Sequence, residues 1–427
     1  MQSSRFLRTV ARVSVGGCFA LVLSLSACGS SGATTNKALV IATEFPVSGA
    51  DATDTLPAQY AVDLAVSQNA TLGSGYTLSV LHENDEGTSG ADANIGASNV
   101  QTLVDNAQVM GIVGPFNSGV AKAEIPIVNA AGGPVLISPT NTNPGLTLSD
   151  YATANGINFA QLHPAGKPDF YFRIPGNDVA QGKADAEVAL SSQVGCTKAF
   201  VVDDNTTYGV GLANFFTTAY TAGGGATVGT RTSITADQVA TFPSLATSIK
   251  SSGAQCVFYG GVTSAGGPIL KKDLVAIGFT GYMVGGDGIA DDPGFITTAG
   301  AAAAGTIGTV AAPDTSTLTS GAAATFKSAY TTFVTGKPDN ALLPYSAQAY
   351  DAAMIEITAI KNLITAGKAV TRLAVQQQIS TISYPGVTGT LSFDANGDNA
   401  GAKVFSVYAV DPAKAAGAWS FETAINV

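Results

Sequence analysis

Three hydroxyl residues, Ser118, Thr140 and Thr142, stand in two polar loops, Asn117-Ser118-Gly119 and Ser138 to Pro144, inside the single stretch 114–147. Each loop follows a short apolar run that reads as a strand, and a helix-like segment ending at Ala131-Gly132-Gly133 lies between them. In a parallel sheet both loops would open at the carboxyl ends of the strands, the edge at which α/β proteins bind ligands. Hydroxyls and free backbone N–H groups would converge there on one small anionic group. Taken alone, the same residues also suit plain turns and caps, since Ser and Thr readily bond their own backbone.

Other polar clusters point less clearly to chemistry. Asp203 and Asp204 form a carboxylate pair, but a strand followed by a helix N-terminus accounts for them through capping. Asp85 reads as a solvated loop charge. Ser392 to Asp398, SFDANGD, lacks the full spacing and terminal Glu of a calcium loop and reads as a hairpin turn. His82 and His163 have no ligand-like spacing, so no metal site is expected. There is no GxSxG, no HExxH and no GxGxxG, and each of the four Gly-Lys pairs is followed by Pro or Ala. These absences give no support to an acyl-transfer, zinc-protease, dinucleotide or phosphate-loop enzyme. Neither an enzyme activity nor a cofactor is expected.

The elements that would position the two loops alternate regularly. Strands are predicted at Ala38–Thr43, Thr77–Leu81, Val109–Val113 and 134–138, separated by helices, one opening at Pro57 and one over 92–106. The run at Ala38–Thr43 is continuously apolar, as for a strand buried on both faces. A polar connection covers 150–169, and Phe170–Ile174 resumes strand character. A second series begins at Lys198 with the strands KAFVVDD, CVFYGG, GYMVGG and TIGTVAA. Residues 328–366 read as helical again, and 386–410 as strands with a hairpin. Strands alternating with helices of this length imply doubly wound parallel sheets, here in two lobes.

Length and composition agree with that plan. The chain has 427 residues, 46% of them hydrophobic and only 12% charged. Its net charge is −10, and −13 once Arg5, Arg8 and Arg12 of the leader are removed. No basic cluster remains, which speaks against a nucleic-acid partner. Residues 1–27 combine those arginines with an apolar run from Val13 to Leu25 that is short for a membrane span and fits a secretory signal. It ends in Leu25-Ser26-Ala27-Cys28-Gly29, which resembles a bacterial lipobox, so Cys28 is the expected lipidation site. An ordinary cleavable signal is the alternative. Residues 28–37 would be a flexible tether. Cys18 falls in the leader. Cys196 and Cys256 each precede a predicted strand. A disulfide is expected if those strands are neighbours, with two buried free thiols as the alternative.

Beyond residue 37 the order of motifs resembles the type I periplasmic binding fold, and within it the leucine/isoleucine/valine-binding proteins of ABC importers. The marks are PVSG, GPFNSGVAKAEIPIV, PVLISPTNTNPGLT, YFRIPGNDVAQGKA, VVDDNTTYGVGL, YGGVTSAGGPILKKDL, YSAQAYDAA and GTLSFDANGD. The resemblance implies two Rossmann-like lobes joined by three crossing strands, with 38–170 plus 314–386 as the N-terminal lobe and 171–313 plus 387–427 as the C-terminal lobe. It implies that Ser118, Thr140 and Thr142 hold an amino-acid carboxylate. Asp287 would pair with the ammonium, where branched-chain binders commonly have Glu, and Tyr208 would line the cleft. Val262 and Thr263 stand where the family often has Tyr, and Asp51 and Asp54 where an aromatic is common. These departures weaken branched-chain specificity.

The function implied is an exported, lipid-anchored solute-binding protein, on the outer face of the cell membrane or in the periplasm. It would bind an amino acid or amide-like solute, close about a hinge, dock on an ABC permease and exist as a monomer. A ligand sensor signalling to a membrane partner, or a hydrolase on the same scaffold, are the alternatives.

Overall fold

The computed structural model describes residues 37–235, 241–411 and 418–427. The lipobox, Cys28 and the tether up to residue 36 lie outside them. Among the described residues, no helix is long and apolar enough to cross a membrane.

The first sheet holds β1 (Lys37–Glu44), β2 (Thr71–Gly73), β3 (Tyr76–Glu83), β4 (Val109–Val113), β5 (Val135–Ser138) and β6 (Tyr171–Arg173), in the order β2-β3-β1-β4-β5-β6. All neighbours run parallel except the β2–β3 pair. β4 and β5 are buried along their whole length, as strands covered on both faces must be. The covering helices include α1 (Ala52–Ser67), α2 (Ala93–Asp105) and α3 (Ser118–Ala131). α2 is capped by the Asp92 carboxylate, which accepts from the N–H groups of Asn94 and Ile95. α3 ends at Gly132 with φ +80°, a left-handed cap that glycine adopts without a Cβ clash.

The second sheet is built around β7 (Lys198–Asp203), β8 (Cys256–Gly260), β9 (Tyr282–Gly285) and β10 (Thr306–Val310), all parallel. It continues through the antiparallel β11 (Val404–Asp411) and β12 (Ala418–Asn426). α4 (Asp178–Leu190) and α5 (Thr207–Ala222) pack on one face. Their approach is close at Gly182, where a Cβ would lie 2.7 Å from the Phe215 backbone. Because β7 and β8 are neighbours, Cys196 and Cys256 meet and are joined by a disulfide.

The chain passes between the sheets three times: after β6, after β10 and before β11. Between the last two passages, α9 (Gly321–Phe333), α10 (Pro344–Thr365) and α11 (Arg372–Ile379) return to the core of the first sheet through Phe326, Tyr330, Ile355, Ile360, Val375 and Ile379. α6 (Pro243–Ser251), α7 (Gly267–Ala276) and α8 (Pro293–Ala299) belong to the second sheet.

Several local expectations are corrected. The first helix starts at Ala52, so Pro57 sits inside it. The helical stretch 328–366 is two helices, broken between 334 and 343 where Gly336 and Pro338 stand. The polar connection 150–169 contains single helical turns at Ser149–Ala152 and Phe159–Leu162. Asp85 is fully buried rather than solvated. A small hairpin, Glu86–Gly87 against Gly90–Ala91, folds the chain back beside it. Burial, and then the charge of Glu44, push its carboxyl up to about 9.

Candidate functional site

The loops after β4 and β5 are tied to one another before any ligand is considered. Ser138 Oγ donates to the Pro115 carbonyl at 2.8 Å and accepts from the N–H groups of Thr140 and Asn141. Thr140 Oγ1 and Asn141 Nδ2 donate to the Phe116 carbonyl at 2.7 and 2.8 Å. The Thr140 hydroxyl is thus spent on bracing the neighbouring loop. Ser118 opens α3, and its Oγ accepts from Asn143 N–H at 3.4 Å. Thr142 is buried, and its backbone carbonyl accepts from Asp178 N–H at 2.8 Å.

Arg173 anchors this arrangement from below and carries no signal in sequence beyond its place in YFRIPG. Its side chain is fully buried, with Nη1 on the Asn143 carbonyl at 2.6 Å and Nη2 on Thr147 Oγ1 at 2.7 Å. The same guanidinium makes a two-pronged ion pair with Asp398, through Nε at 2.6 Å and Nη2 at 3.3 Å. Burial pushes the Asp398 carboxyl up, but the Arg173 charge and hydrogen bonds outweigh it and hold the group below its ordinary value. Asp398 lies in the SFDANGD turn, where Asp394 Oδ1 accepts from the N–H groups of Asn396 and Asp398.

On the second sheet, Asp287 follows β9 within Gly285-Gly286-Asp287-Gly288. A Cβ at Gly288 would lie 2.5 Å from the Gly261 carbonyl, so the chain needs glycine directly after the acid, and one at Gly286 would press on the ends of the Leu212 and Tyr208 side chains. Tyr208, in the first turn of α5, donates to Asp287 Oδ1 at 2.8 Å and accepts from Gly288 N–H at 3.0 Å. Tyr345, in the first turn of α10, donates to Asp287 Oδ2. Burial raises the Asp287 carboxyl, and the phenol hydrogen bonds oppose that rise. Tyr345 opens the YSAQAYDAA segment, but sequence reasoning gave it no site role because nothing local ties it to Asp287. Asp203 and Asp204 serve turns and an ion pair: Asp204 Oδ1 accepts from Thr206 N–H and Oγ1, and Asp203 Oδ2 pairs with Arg231 at 2.5 Å.

Ser118, Thr140, Thr142, Tyr208 and Asp287 line one cavity of about 30 Å³, together with Phe116, Asn117, Val262, Gly288 and Tyr345. A second space of about 150 Å³ adjoins it and shares Asn117, Ser118, Tyr208 and Val262. Larger clefts of about 460 and 490 Å³ lie elsewhere, and none of the five residues borders them. Convergent polar groups, rather than volume, single out the smaller space. The lobes touch around it. Asn143 Nδ2 donates to the Thr207 carbonyl at 2.7 Å, and Thr53 Oγ1 to Asp292 Oδ1 at 3.1 Å. Asp54 lies close to Asp292, Asp291, Asp287 and Asp51, and burial followed by their charges drives its carboxyl well above the usual range.

Comparison with known proteins agrees with this architecture. Residues 39–417 match the family model described as periplasmic binding protein. The Leu/Ile/Val-binding protein BraC3 of Rhizobium johnstonii is 30% identical over 269 residues, which span 62% of this chain and 65% of that protein. This chain thus covers slightly less than two thirds of that relative's length. The leucine-binding protein LivK of Thermotoga maritima superposes with a TM-score of 0.74 at 23% identity, covering 91% of this chain and 99% of that one. LivJ of Streptococcus pneumoniae, solved in complex with isoleucine, gives 0.71 at 23% identity, with coverage of 91% and 99%. With two parallel-stranded sheets, three passages between them and a family match over nearly the whole described chain, the protein belongs to the periplasmic binding protein family and has its type I fold.

Proposed function

We propose that this protein is the extracytoplasmic substrate-binding component of an ABC importer. It captures an amino acid or a similar small polar solute between the lobes and releases it unchanged to a permease. The observation that carries the reading is that Ser118 and Thr142, from one sheet's edge, border the same cavity as Tyr208 and Asp287, from the other's. A zwitterion matches that polarity. Its carboxylate meets the hydroxyls and loop N–H groups, and its ammonium meets Asp287. Hinge closure about the three crossings completes the site. The lobes are taken as 38–170 plus 314–386 and 171–313 plus 387–427, except that Tyr171–Arg173, a strand of the first sheet, and Val387, Leu391 and Phe393 of its core go with the first lobe. Lipidation at Cys28 is part of the same proposal.

Thermal-shift screening of the purified protein against amino acids and small amides tests it. A ligand at a hundred times its dissociation constant adds about 2.7 kcal/mol of stability. The expected result is a hit that is lost in Asp287→Ala and weakened in Ser118→Ala. A hit indifferent to both changes would move the site, and silence across the whole panel would sink the binding reading.

A further inference from the structure

Where a bound solute's tail lies is decided by the space around Asp287, which is tight there and then widens between two carboxylates. The cavity beside Asp287 measures about 30 Å³, far below the roughly 150 Å³ of an apolar protein cavity that takes up benzene. Phe116 walls it and is wedged edge-on between Phe45 and Tyr345, with ring centroids 6.1 and 6.0 Å away. With the head group held at Asp287, the tail of the solute must run out of this space. The adjoining space of about 150 Å³ is wider, and its polar lining includes Asp51, Asn117, Asp204, Thr206 and Ser264. Val120, Val262, three alanines and the Tyr208 ring supply the apolar part of that second space, and no Lys or Arg lines either one.

Asp51 is turned toward this second space. It occupies the N-cap position of α1 yet makes no capping bond, the ordinary use of an Asp at that position. Its Oδ2 and Ser264 Oγ both lie against Gly90, 3.3 and 3.0 Å from where a Cβ would stand. A carboxylate from the first lobe, a hydroxyl from the second and the hairpin at 86–91 therefore meet at one point across the cleft. Asp204 faces the same space from the second lobe, with its oxygens held by Thr206 and by Val262 N–H at 3.0 Å. Asp51 Oδ2 is buried there without a hydrogen-bond partner, and an aliphatic tail would seal it in without supplying one. A metal ion is not the natural counter-charge, because among the described residues no group of three or more His, Cys, Asp or Glu is placed to hold one.

We infer that the solute is an amino acid or amine whose tail ends in an ammonium, amidinium or guanidinium group seated between Asp51 and Asp204, rather than a branched-chain amino acid. The inference rests on the binding function proposed above and narrows its ligand class. It departs from the Leu/Ile/Val label carried by the relatives, and the departure follows from the lining residues of this chain.

Isothermal calorimetry with L-arginine, L-ornithine, agmatine, L-leucine and L-isoleucine tests it, on the wild type and on Asp51→Asn. At least one of the three cationic probes is expected to bind ten-fold or more tightly than either aliphatic one, and Asp51→Asn is expected to narrow that ratio ten-fold. Ser264→Val, on the opposite lobe, is the second variant if Asp51→Asn does not fold, and is expected to act in the same direction. Leucine or isoleucine binding as well as the cationic probes would overturn the ligand class while leaving the binding function intact. Cationic binding that neither variant weakens would overturn the placement. If none of the five probes binds but another solute in the wider panel does, this inference alone falls. If nothing in either panel binds, the proposed function falls with it.

Discussion

Asp287 is a carboxylate held by two phenols that come from different parts of the chain, Tyr208 in α5 and Tyr345 in α10. Each phenol stabilises the ionised form, which a ligand ammonium requires. Removing one hydroxyl leaves burial less opposed. Tyr345→Phe is therefore expected to raise the Asp287 carboxyl further and weaken binding of an ammonium-bearing ligand about ten-fold, the equivalent of about 1.4 kcal/mol. Calorimetry at neutral pH checks this, and unchanged affinity would remove Tyr345 from the site. Arg173 belongs to the same scale. Its guanidinium joins the Asn143–Thr147 loop to Asp398, and cutting it out leaves a largely buried carboxylate without its partner. Arg173→Met should cost about 3–5 kcal/mol in chemical denaturation, and Asp398→Asn in the same chain should recover part of that loss.

At the scale of elements, the stability of the second sheet is tied to a covalent link. The disulfide joins Cys196 and Cys256, 60 residues apart, at the starts of two paired strands. Closing a loop of that size restricts the unfolded chain. Cys256→Ala should therefore lower unfolding free energy by about 2–4 kcal/mol. Both cysteines sit at the amino ends of their strands, away from the edge that bears the cleft, so ligand affinity should be unchanged in the same variant. A matching loss of affinity would show that the second lobe's edge depends on the link. The helices are ordered by simpler devices. Asp92 caps α2, and Gly132 closes α3 in the left-handed conformation. Both devices stand within a turn of the helix ends they control, and so both are legible in the chain.

Across the whole molecule, buried acids set the pH response. Burial pushes Glu44 up to about 7, Asp178 to about 8 and Asp85 to about 9, and drives Glu124 well above its usual range. The unfolded chain releases the same protons near pH 4. Between those limits the folded state binds more protons than the unfolded state. Stability is then full below about pH 4 and is lost as pH rises through the folded values. Asp398 acts oppositely, since its lowered carboxyl contributes stability that disappears only as pH falls below the ordinary carboxylate range. The melting temperature should accordingly be higher near pH 5.5 than near pH 8.5, and Glu124→Gln should flatten that slope. A melting temperature that rises over the same interval would contradict the assignment of these acids as protonated in the fold.

The sequence by itself determined the alternation of strands and helices, the two parallel-sheet lobes and the loops at 117–119 and 138–144. These follow from apolar runs of strand length and from Gly, Pro and hydroxyl residues at their ends, all local signals. It also determined that Cys196 and Cys256 precede strands. That those strands are neighbours, and the thiols joined, was decided by the order of the second sheet. Tertiary structure alone brought Tyr345 to Asp287 over 58 residues and Asp398 to Arg173 over 225. It buried Asp85 beneath a hairpin and turned Asp51 off its helix toward Ser264. The physical reason is common to all four. A polar side chain looks alike in sequence whether water or protein surrounds it, and only the packing of distant segments sets its burial, its partners and its charge.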